Sequence, residues 1–487
     1  MFSFIISIVA LVIGYLIYGK VVERVFGPDP ARVTPAVSMQ DGVDYVPMPA
    51  WKVYMIQFLN IAGTGPIFGA IMGAKFGPSC YLWIVFGSIF AGAVHDYFSG
   101  MLSMRQNGAT YPEIIGSHIK GSRGIIVVFT TILLLMVGTV FVYSPALILG
   151  DMAGDGTAKW VLIWALIVLG YYIIATLLPI DKLIGRVYPL FAFALLFMAV
   201  SMMVCLFVKW PSLPEFWQGL QNRAPSVGVN GQSIFPCLFI TVACGAVSGF
   251  HATQSPLMAR CLTNEKMGRP IFYGSMITEG IVALVWAAVS SYFFFDGGMQ
   301  ECGLQSASAP QVVTAISKHW LGVVGSVLAV LGVVAAPITS GDTALRGARL
   351  NIAEFFRVPQ DKIVNRLLIS LPIFAGVGLL LWFNIQNADG FNIIWRYFGL
   401  SNQTLAVFFL ATITVYLVRR NPSGWEFLIA AIPTVFMFSV CLTFFCIDKT
   451  CLGLPASLTV WFGAGWAVLG AVLLSVWVAS QKRRCRK

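Results

Sequence analysis

Residues 60–66 read Asn-Ile-Ala-Gly-Thr-Gly-Pro and interrupt the middle of an apolar stretch, 52–74, that is long enough to cross a membrane. Proline lacks a backbone N–H and clashes with the preceding helical turn, and glycine loses the most entropy in a helix. With Gly63, Gly65 and Pro66 inside four positions, the sequence predicts a broken membrane helix. Unpaired backbone groups cannot face hydrocarbon, so the break is expected to line a cavity inside the protein.

A second stretch has the same character. Residues 243–256 read ACGAVSGFHATQSP and place two glycines, a histidine and a glutamine at membrane depth. The two interruptions fall five predicted spans apart, as expected of two five-helix repeats that enter the membrane from opposite sides. The alternative is that both stretches are glycine-rich faces for close helix packing, which small residues often form in membranes.

The composition is typical of a membrane protein. Of the 487 residues, 58% are hydrophobic and 10% are charged, whereas soluble domains carry about 25% charged residues. Apolar runs of 18 or more residues recur along the chain, which argues against a large soluble core. The predicted spans are 2–18, 52–74, 79–104, 125–149, 159–179, 187–208, 233–259, 271–295, 321–345, 363–384, 391–417, 425–446 and 457–480.

The net charge of +11 would suggest a nucleic-acid partner in a soluble protein, but here it follows the predicted topology. Basic residues concentrate in alternate connections, such as 105–123 and 346–366, and in the tail 482–487. The opposite connections hold few: Lys75, Lys159, Lys209, Arg223, Lys318, Arg396 and Lys449. Because basic residues stay on the cytoplasmic side during insertion, the N-terminus is predicted outside and the C-terminus in the cytoplasm, with no nucleic-acid partner.

The predicted fold is an all-α polytopic membrane protein of about thirteen transmembrane helices, with an inverted five-plus-five repeat core and two broken helices. The predicted units are 1–51 (an extra helix and a cytoplasmic loop), 52–209 (first repeat), 210–417 (an extracellular loop and the second repeat) and 418–487 (two extra helices and a basic tail). Cys446 and Cys451, at an outer helix end, could pair or remain free thiols.

A broken helix suggests where a solute binds. The N–H groups freed after a break lie at a positive helix end and suit a carboxylate, and the C=O groups freed before it suit a cation. The residues predicted to bind the substrate therefore come from the two breaks: Gly63, Thr64 and Gly65, with Gly249, His251, Thr253 and Gln254 opposite. A small solute and the surrounding lipids are the expected partners.

Ionisable side chains deep in a membrane are costly, so each of them needs a reason. His95 and Asp96 lie in the third predicted span, Glu279 in the eighth, and Asp342 near the inner end of the ninth. Neighbouring helical residues diverge by about 100°, so His95 and Asp96 cannot both face one small ligand. Each group either satisfies broken backbone or titrates, and titration would support proton coupling.

Thr339 and Ser340 offer a second form of ion coupling. Their hydroxyls, beside carbonyls of the first break, would form a neutral oxygen cage that suits Na⁺, or they could bond back to their own helix. No H-x-x-x-H or H-E-x-x-H spacing occurs, so no metal site is predicted. No P-loop occurs either, and no cofactor beyond the coupling ion, H⁺ or Na⁺, is expected.

Several motifs resemble those of the carbon-starvation protein A (CstA) family. They are GTGPIFGA at 63–70, GAVHDY at 92–97, SGFHATQSP at 248–256 and PITSGDT at 337–343. The resemblance covers most of the chain, and it implies a LeuT-like bacterial inner-membrane carrier related to the amino acid–polyamine–cation superfamily. It also implies uptake of pyruvate or small peptides during nutrient limitation, with proton coupling in pyruvate carriers. The longer members carry extra material that this chain lacks.

The predicted function is ion-coupled symport of a small carboxylate such as pyruvate, an amino acid or a short peptide. Two other functions stay open at this point. One is a membrane-embedded enzyme in which His95, Asp96 and His251 converge as an acid–base or metal cluster. The other is a sensor that binds a nutrient and signals to a partner. The paired breaks favour the transporter, because a channel or an enzyme does not need them.

Overall fold

The computed structural model describes residues 1–153, 158–177, 184–387 and 390–485, and most of these residues are helical. Within those ranges, extended pairing is limited to one bridge between Met48 and Leu262. Residues 178–179, at the end of the predicted span 159–179, lie outside the described ranges. Residues 486–487, at the end of the predicted basic tail, do so as well. The all-α class is confirmed.

Twenty α-helices follow one another along the described chain. In the first half they are α1 (Phe2–Leu16), α2 (Tyr18–Phe26), α3 (Pro35–Ser38), α4 (Ala50–Ile61), α5 (Ala70–Ala74), α6 (Ser79–Gly87), α7 (Ala93–Arg105), α8 (Tyr111–His118), α9 (Arg123–Ala153), α10 (Ala158–Leu177) and α11 (Ile184–Lys209). In the second half they are α12 (Phe239–Thr241), α13 (His251–Ala259), α14 (Gly274–Phe295), α15 (Gly298–Glu301), α16 (Ala309–Phe356), α17 (Ile363–Gln386), α18 (Gly390–Arg420), α19 (Leu428–Ile447) and α20 (Thr459–Cys485).

The chain is a multi-pass membrane protein. Ten described helical stretches are long and apolar enough to cross a membrane, and the bent pair of α4 with Gly65–Ala74 makes eleven. Two of the thirteen predicted spans are not among them. The stretch 233–259 divides into short segments around a break, and 321–345 lies inside α16, a 48-residue helix that kinks at Gly322, where φ is 66°.

The first predicted break is confirmed. Helix α4 ends at Ile61, Ala62 leaves the helical region with a ψ of 50°, and a π-helical turn begins at Gly65. The two halves meet at an angle of 52°. Glycine and proline therefore interrupt the helix at the positions where the sequence predicts it.

The second predicted break is confirmed as well. Residues 242–250, between α12 and α13, are not helical. Gly245 adopts a φ of 90°, a conformation that glycine takes without the strain a side chain would add. The break therefore consists of nine residues of irregular backbone inside the bundle.

Asn402, on α18, bonds the unwound backbone of the second break. Its backbone oxygen accepts from the Gly249 N–H at 3.1 Å, and its side-chain oxygen accepts from the Phe250 N–H at 2.7 Å. The same side-chain oxygen accepts from the Ser248 hydroxyl at 3.1 Å. One buried asparagine thus replaces the hydrogen bonds that a continuous helix would have supplied.

Two side chains near α6 bond the carbonyl groups of the same break. The Trp83 indole N–H donates to Val242 O, and the Ser88 hydroxyl donates to Gly245 O, each at 2.9 Å. The second break is therefore enclosed by protein on two sides, as irregular backbone at membrane depth requires.

The ends of α2, α7, α13, α16 and α18 meet at one end of the bundle, which we call the basic end. Arg105 donates to Gly27 O at 2.7 Å, and Arg420 donates to Phe26 O at 2.6 Å. Arg260, which follows α13, forms an ion pair of 2.5 Å with Glu354, near the end of α16. These contacts bring together connections that the sequence predicts to share one side of the membrane.

Residues 27–49 cross the basic end, and we call them the strap. The Met48 N–H donates to Cys261 O at 3.0 Å, which ties the strap to the chain just after α13. Asp44 lies 3.5 Å from Arg346 and 3.6 Å from Arg349, and all three side chains are buried. The strap therefore inserts a carboxylate between two arginines of α16.

The connections predicted to lie on the other side meet at the opposite end. The Ser212 N–H donates to the Asp296 carboxylate at 2.8 Å, and the Lys75 ammonium lies 5.0 Å from the centre of the Phe294 ring. Cys446 and Cys451, whose pairing the sequence leaves open, are free thiols.

The arginines of the basic end keep the Asp44 carboxyl ionised. Burial raises its pKa, but the charges of Arg349 and Arg346, with those of Arg260 and Arg366 beyond, outweigh burial and hold the pKa below its ordinary value. A carboxyl whose pKa is lowered by folding adds stability at pH values above its unfolded-state pKa of about 3.9. That stability is lost as the pH falls through the lower folded-state pKa.

Asp44→Asn is expected to lower the free energy of unfolding at neutral pH by about 3 kcal/mol, because two buried guanidinium groups lose their counter-charge. Thermal unfolding in detergent between pH 7 and strongly acidic pH measures this change. The gap in melting temperature between wild type and variant is expected to close as the pH falls below about 3.9. Asp361→Asn, which alters an exposed carboxylate, is the control. A gap that stays constant with pH would contradict the prediction.

Candidate substrate and ion site

Four ionisable side chains from three helices meet beside the second break, and we call them the quartet. His95 and Asp96 lie on α7, His251 is the first residue of α13, and Glu279 lies on α14. All four are fully buried. Isolated charges would be very costly at such a place, so these groups have to stabilise one another or a bound ion.

Asp96 lies at the centre of the quartet. Its two oxygens lie 2.8 Å from Nδ1 of His95 and 2.9 Å from Nδ1 of His251. An ionised carboxylate only accepts hydrogen bonds, so both imidazoles donate to it through Nδ1–H. Nε2 of His251 then lies 3.5 Å from a Glu279 oxygen, while the His95 ring packs edge-on against Phe409 with centroids 5.2 Å apart. Asp96 thus joins α7 to α13 through His251.

The quartet brings two carboxyl groups and two imidazoles together in a fully buried site. If both imidazoles are neutral and both carboxyl groups are ionised, Asp96 and Glu279 place two negative charges there. Nε2 of His95, Nε2 of His251 and both Glu279 oxygens have no hydrogen-bond partner among the described residues. Protons or a cation are needed to balance this arrangement.

Cys244, within the second break, completes a set of possible metal ligands with His251 and Glu279. The thiol sulfur, an imidazole nitrogen and a carboxylate oxygen all lie within 4.8 Å of one another. The sequence prediction of no metal site depends on ligand spacing along one helix. These three ligands come from three separate elements, so only the fold brings them together.

At the first break, Asn60 and Thr64 supply unpaired polar atoms. Both side chains are fully buried, and the Asn60 amide and the Thr64 hydroxyl have no hydrogen-bond partner among the described residues. Thr64 belongs to the predicted substrate set, and Asn60 does not. Buried polar groups normally have partners, so both are candidates for contact with a bound solute.

The predicted substrate residues of the second break have different surroundings. Gly249 lies against α18, where an added Cβ would come within 2.4 Å of Asn402 O. The Thr253 hydroxyl donates to Phe250 O at 2.6 Å, and the Gln254 amide nitrogen donates to the Thr253 hydroxyl at 2.8 Å. The Gln254 amide oxygen has no partner within the described ranges, so it can accept from a solute.

Helix α16 carries the other predicted ion-coupling residues. Thr339 bonds back to a carbonyl of its own helix at 2.8 Å, whereas Ser340 donates to Leu59 O at the first break at 2.9 Å. The Tyr188 hydroxyl lies 2.7 Å from one oxygen of Asp342, and the other oxygen has no hydrogen-bond partner among the described residues. No hydrogen bond or ion pair within the described part of the chain joins Asp342 to the quartet. Among the described residues, the predicted ion-coupling carboxyl groups therefore lie in two separate buried places.

Two cavities lie beside the helical stretch that follows the first break, towards the end opposite the basic end. A cavity of about 260 Å³ is lined in part by Phe68, Met72, Lys75 and Trp395. A second, of about 220 Å³, shares Met72 and Trp395 and includes Arg396. The rings of Phe68 and Trp395 lie 6.1 Å apart. The described lining of both cavities begins after the break itself, at Phe68 and Met72.

Sequence reasoning missed Asn60, Cys244, Asn402 and Tyr188. Asn60 and Cys244 stand inside the two interrupted stretches, so a polar or thiol side chain beside a break was a usable signal. Asn402 and Tyr188 lie far along the chain from the groups they bond. Only the packing of α18 and α11 against the centre identifies them.

Comparison with protein families matches the chain to the family described as Carbon starvation protein CstA, over residues 1–153, 152–324 and 298–444. An uncharacterized membrane protein of Haemophilus influenzae is 46% identical over 60% of this chain and 91% of its own length. Peptide transporter CstA of Escherichia coli is 25% identical over 90% of this chain and 79% of its own. Pyruvate/proton symporter BtsT of Escherichia coli is 27% identical over 58% of this chain and 48% of its own.

Among solved structures, those of a manganese transporter from Eremococcus coleocola are similar, with a TM-score of 0.53. The match covers 92% of this chain and 99% of the transporter chain, at 13% sequence identity. At this identity the likeness shows the fold alone. The helical arrangement is therefore one that a known membrane transporter also uses.

Gly65→Ala is expected to push the backbone of the first break away from that of the second and so to lower the stability of the protein. The reason is that the added Cβ would lie 2.2 Å from the Cβ of Cys244. Overpacking of this kind costs about 1–3 kcal/mol, and thermal unfolding in detergent measures the loss. Gly170→Ala, in α10, is the matched control, because nothing lies within 4 Å of its added Cβ. Equal melting temperatures for Gly65→Ala and wild type would mean that the close approach does not constrain the centre.

Proposed function

Because this chain belongs to the carbon starvation protein CstA family, we propose that it is a proton-coupled secondary transporter that takes up a small carboxylate. One observation carries the proposal. Two helices unwind side by side in the bundle, and Gly65 of the first break lies against Cys244 of the second. Irregular backbone at membrane depth is tolerated where it is buried in protein or lines a solute site, and paired breaks are typical of transporters.

The names of the relatives support the class of solute. One relative is a peptide transporter and another is a pyruvate/proton symporter. Peptides and pyruvate share a carboxylate, the group that a positive helix end favours. The helical stretch Gly65–Ala74 begins at the first break, so its positive end faces the proposed solute site.

Three buried side chains are proposed to contact the solute. The Asn60 amide and the Thr64 hydroxyl can donate to a carboxylate, and the Gln254 amide oxygen can accept from an amino group or a peptide N–H. Each has at least one polar atom without a partner among the described residues. A bound solute would supply the missing hydrogen bonds.

The distribution of charge supports an orientation in the bacterial inner membrane. We assign the basic end to the cytoplasm, because basic connections are retained on that side during insertion. The C-terminal tail is then cytoplasmic and the N-terminus external. The strap is tied to the basic end through Asp44, and the cavities beside Phe68 lie towards the opposite, external end. This arrangement would suit a carrier that receives solute from outside.

Asp342 is proposed to carry the coupling proton. It is fully buried, it has one hydrogen-bonding neighbour in Tyr188, and its second oxygen has no partner among the described residues. It also lies two residues after Ser340, which bonds the first break at Leu59. Ser340 and Leu59 therefore connect Asp342 to the first break, and a change of charge at Asp342 can alter the hydrogen bonds at the proposed solute site.

Uptake into proteoliposomes tests the proposal. Labelled pyruvate, alanine and dialanine are offered with a pH gradient and a Na⁺ gradient imposed separately. Accumulation of one solute under the pH gradient is the expected result. Accumulation under the Na⁺ gradient alone would show that the coupling ion is Na⁺ and not the proton. Binding of a solute without flux under either gradient would overturn the transporter proposal in favour of a sensor.

Asp342→Asn is expected to reduce accumulation under a pH gradient by at least about fivefold, because the variant cannot exchange a proton. Exchange of labelled for unlabelled solute across the vesicle membrane is expected to continue, since it needs no net proton movement. Asp361→Asn, at an exposed position, is the control for loss of a carboxylate. An unchanged pH dependence of uptake in Asp342→Asn would remove Asp342 from the coupling step.

A further inference from the structure

We propose that Cys244, His251 and Glu279 bind a divalent transition-metal ion of the Zn²⁺ type beside the second break. The site goes beyond the transport proposal, and neither of the two depends on the other. It rests on the convergence of three ligand atoms, on the orientation of His251 and on the charge of the surroundings.

The three ligands converge from separate elements. Cys244 lies in the irregular segment, His251 begins α13 and Glu279 lies on α14, yet their ligand atoms are all within 4.8 Å of one another. Cys244 is almost completely buried, and the other two side chains are fully buried. Glu279 has no hydrogen-bond partner for either oxygen within the described ranges. A buried carboxylate in that condition indicates a missing cation or proton.

Asp96 holds His251 in the orientation of a metal ligand. The Asp96 carboxylate accepts from Nδ1–H of His251 at 2.9 Å, which leaves the lone pair of Nε2 directed towards Glu279. A carboxylate that accepts from one imidazole nitrogen while the other binds metal is the usual outer partner of a metal-bound histidine. His95 binds the other Asp96 oxygen at 2.8 Å and so fixes the carboxylate in turn. Asp96 and His95 are positioning residues for this site.

The separation of Nε2 and the Glu279 oxygen fits a shared metal better than a shared proton. Both atoms are acceptors in this tautomer, and they lie 3.5 Å apart. Charge-assisted N–H···O bonds are shorter, at about 2.7–2.9 Å. Nitrogen and oxygen bound to one tetrahedral Zn²⁺ at about 2.0–2.2 Å lie roughly 3.4 Å from each other. The observed distance matches the second arrangement.

The charge of the surroundings favours a divalent cation. When ionised, Asp96 and Glu279 carry two negative charges, and a metal-bound Cys244 thiolate adds a third. One divalent ion offsets two of the three, and the Asp96 carboxylate is stabilised by its two imidazole donors. Without a metal ion, Cys244 is a neutral thiol and the two carboxyl groups depend on protons for compensation.

The ligand types select the metal class. A thiolate, an imidazole and a carboxylate suit Zn²⁺ and similar borderline ions, whereas Na⁺, Mg²⁺ and Ca²⁺ prefer oxygen ligands. Three protein ligands leave a fourth position open in a tetrahedral site. Gly65 lies beside the thiol ligand, because an added Cβ there would lie 2.4 Å from the Cys244 sulfur. The metal site would therefore border the first break.

Metal content and cobalt spectroscopy of the wild-type protein test the proposal. Tag-free full-length protein in detergent is stripped with a chelator, incubated with Zn²⁺ and passed through a desalting column. One zinc per chain is expected by elemental analysis, and substitution with Co²⁺ is expected to give a thiolate-to-cobalt charge-transfer band. Zinc well below one per chain, or a cobalt protein without that band, would overturn the site.

Variants then assign the ligands. Cys244→Ser is expected to abolish the charge-transfer band, whereas Cys441→Ser, at another buried cysteine on α19, is expected to keep it. Asp96→Asn retains all three ligands and is expected to weaken Zn²⁺ binding about 10- to 100-fold in competition with a chromophoric chelator. Thermal unfolding without metal shows whether each variant is folded. A band that persists in folded Cys244→Ser protein would refute the assignment, and the wild-type measurement decides the matter if the variants do not fold.

Different results would overturn the transport proposal and the metal-site proposal. Zinc binding without solute uptake would leave the metal site standing and remove the transport mechanism. Uptake by protein that binds no zinc would leave the transporter standing and remove the metal site.

Discussion

The unwound backbone at the centre of this bundle must find its hydrogen-bond partners inside the protein, because lipid offers none. Asn402 supplies two of them to the second break, and Trp83 and Ser88 supply two more. These bonds require α18 and α6 to pack directly against the break. They also require small residues at the contacts, which is why Gly65 meets Cys244 and Gly249 meets α18 without intervening side chains. His251 and Cys244, two of the polar groups near the centre, belong to this break or directly follow it.

The ionisable residues that the sequence predicts for ion coupling are divided between two places that the helices keep apart. The quartet gathers around Asp96 beside the second break, where α7, α13 and α14 converge. Asp342 lies on α16 with Tyr188, on the side of the first break. Each place has its own requirement for a compensating positive charge. A carrier with two such centres can bind one ion permanently and exchange another during transport, because a change at one centre need not discharge the other.

The sequence predicted what depends on local chemistry. Glycine and proline mark both breaks, and the apolar runs mark nearly all of the spans, because helix interruption and lipid burial are properties of a short segment. Partners across helices could not be predicted, since the bonds from Asp96 to His251 and from Asn402 to Phe250 join distant segments. The predicted span 233–259 shows most clearly how far sequence-based prediction of the helices can go. Its composition suits a membrane, but its backbone has to unwind, and only the packing around it determines how far.

Helix α13 joins the centre of the molecule to its basic end. It is nine residues long, which corresponds to about 14 Å. His251 stands at one tip, and the other tip continues into Arg260 and into Cys261, whose carbonyl holds the strap through Met48. A displacement of the His251 end would therefore reach the strap through two covalently linked residues and one hydrogen bond. The buried centre and the strap are thus neighbours along one short segment of chain, although they lie at different depths in the bundle.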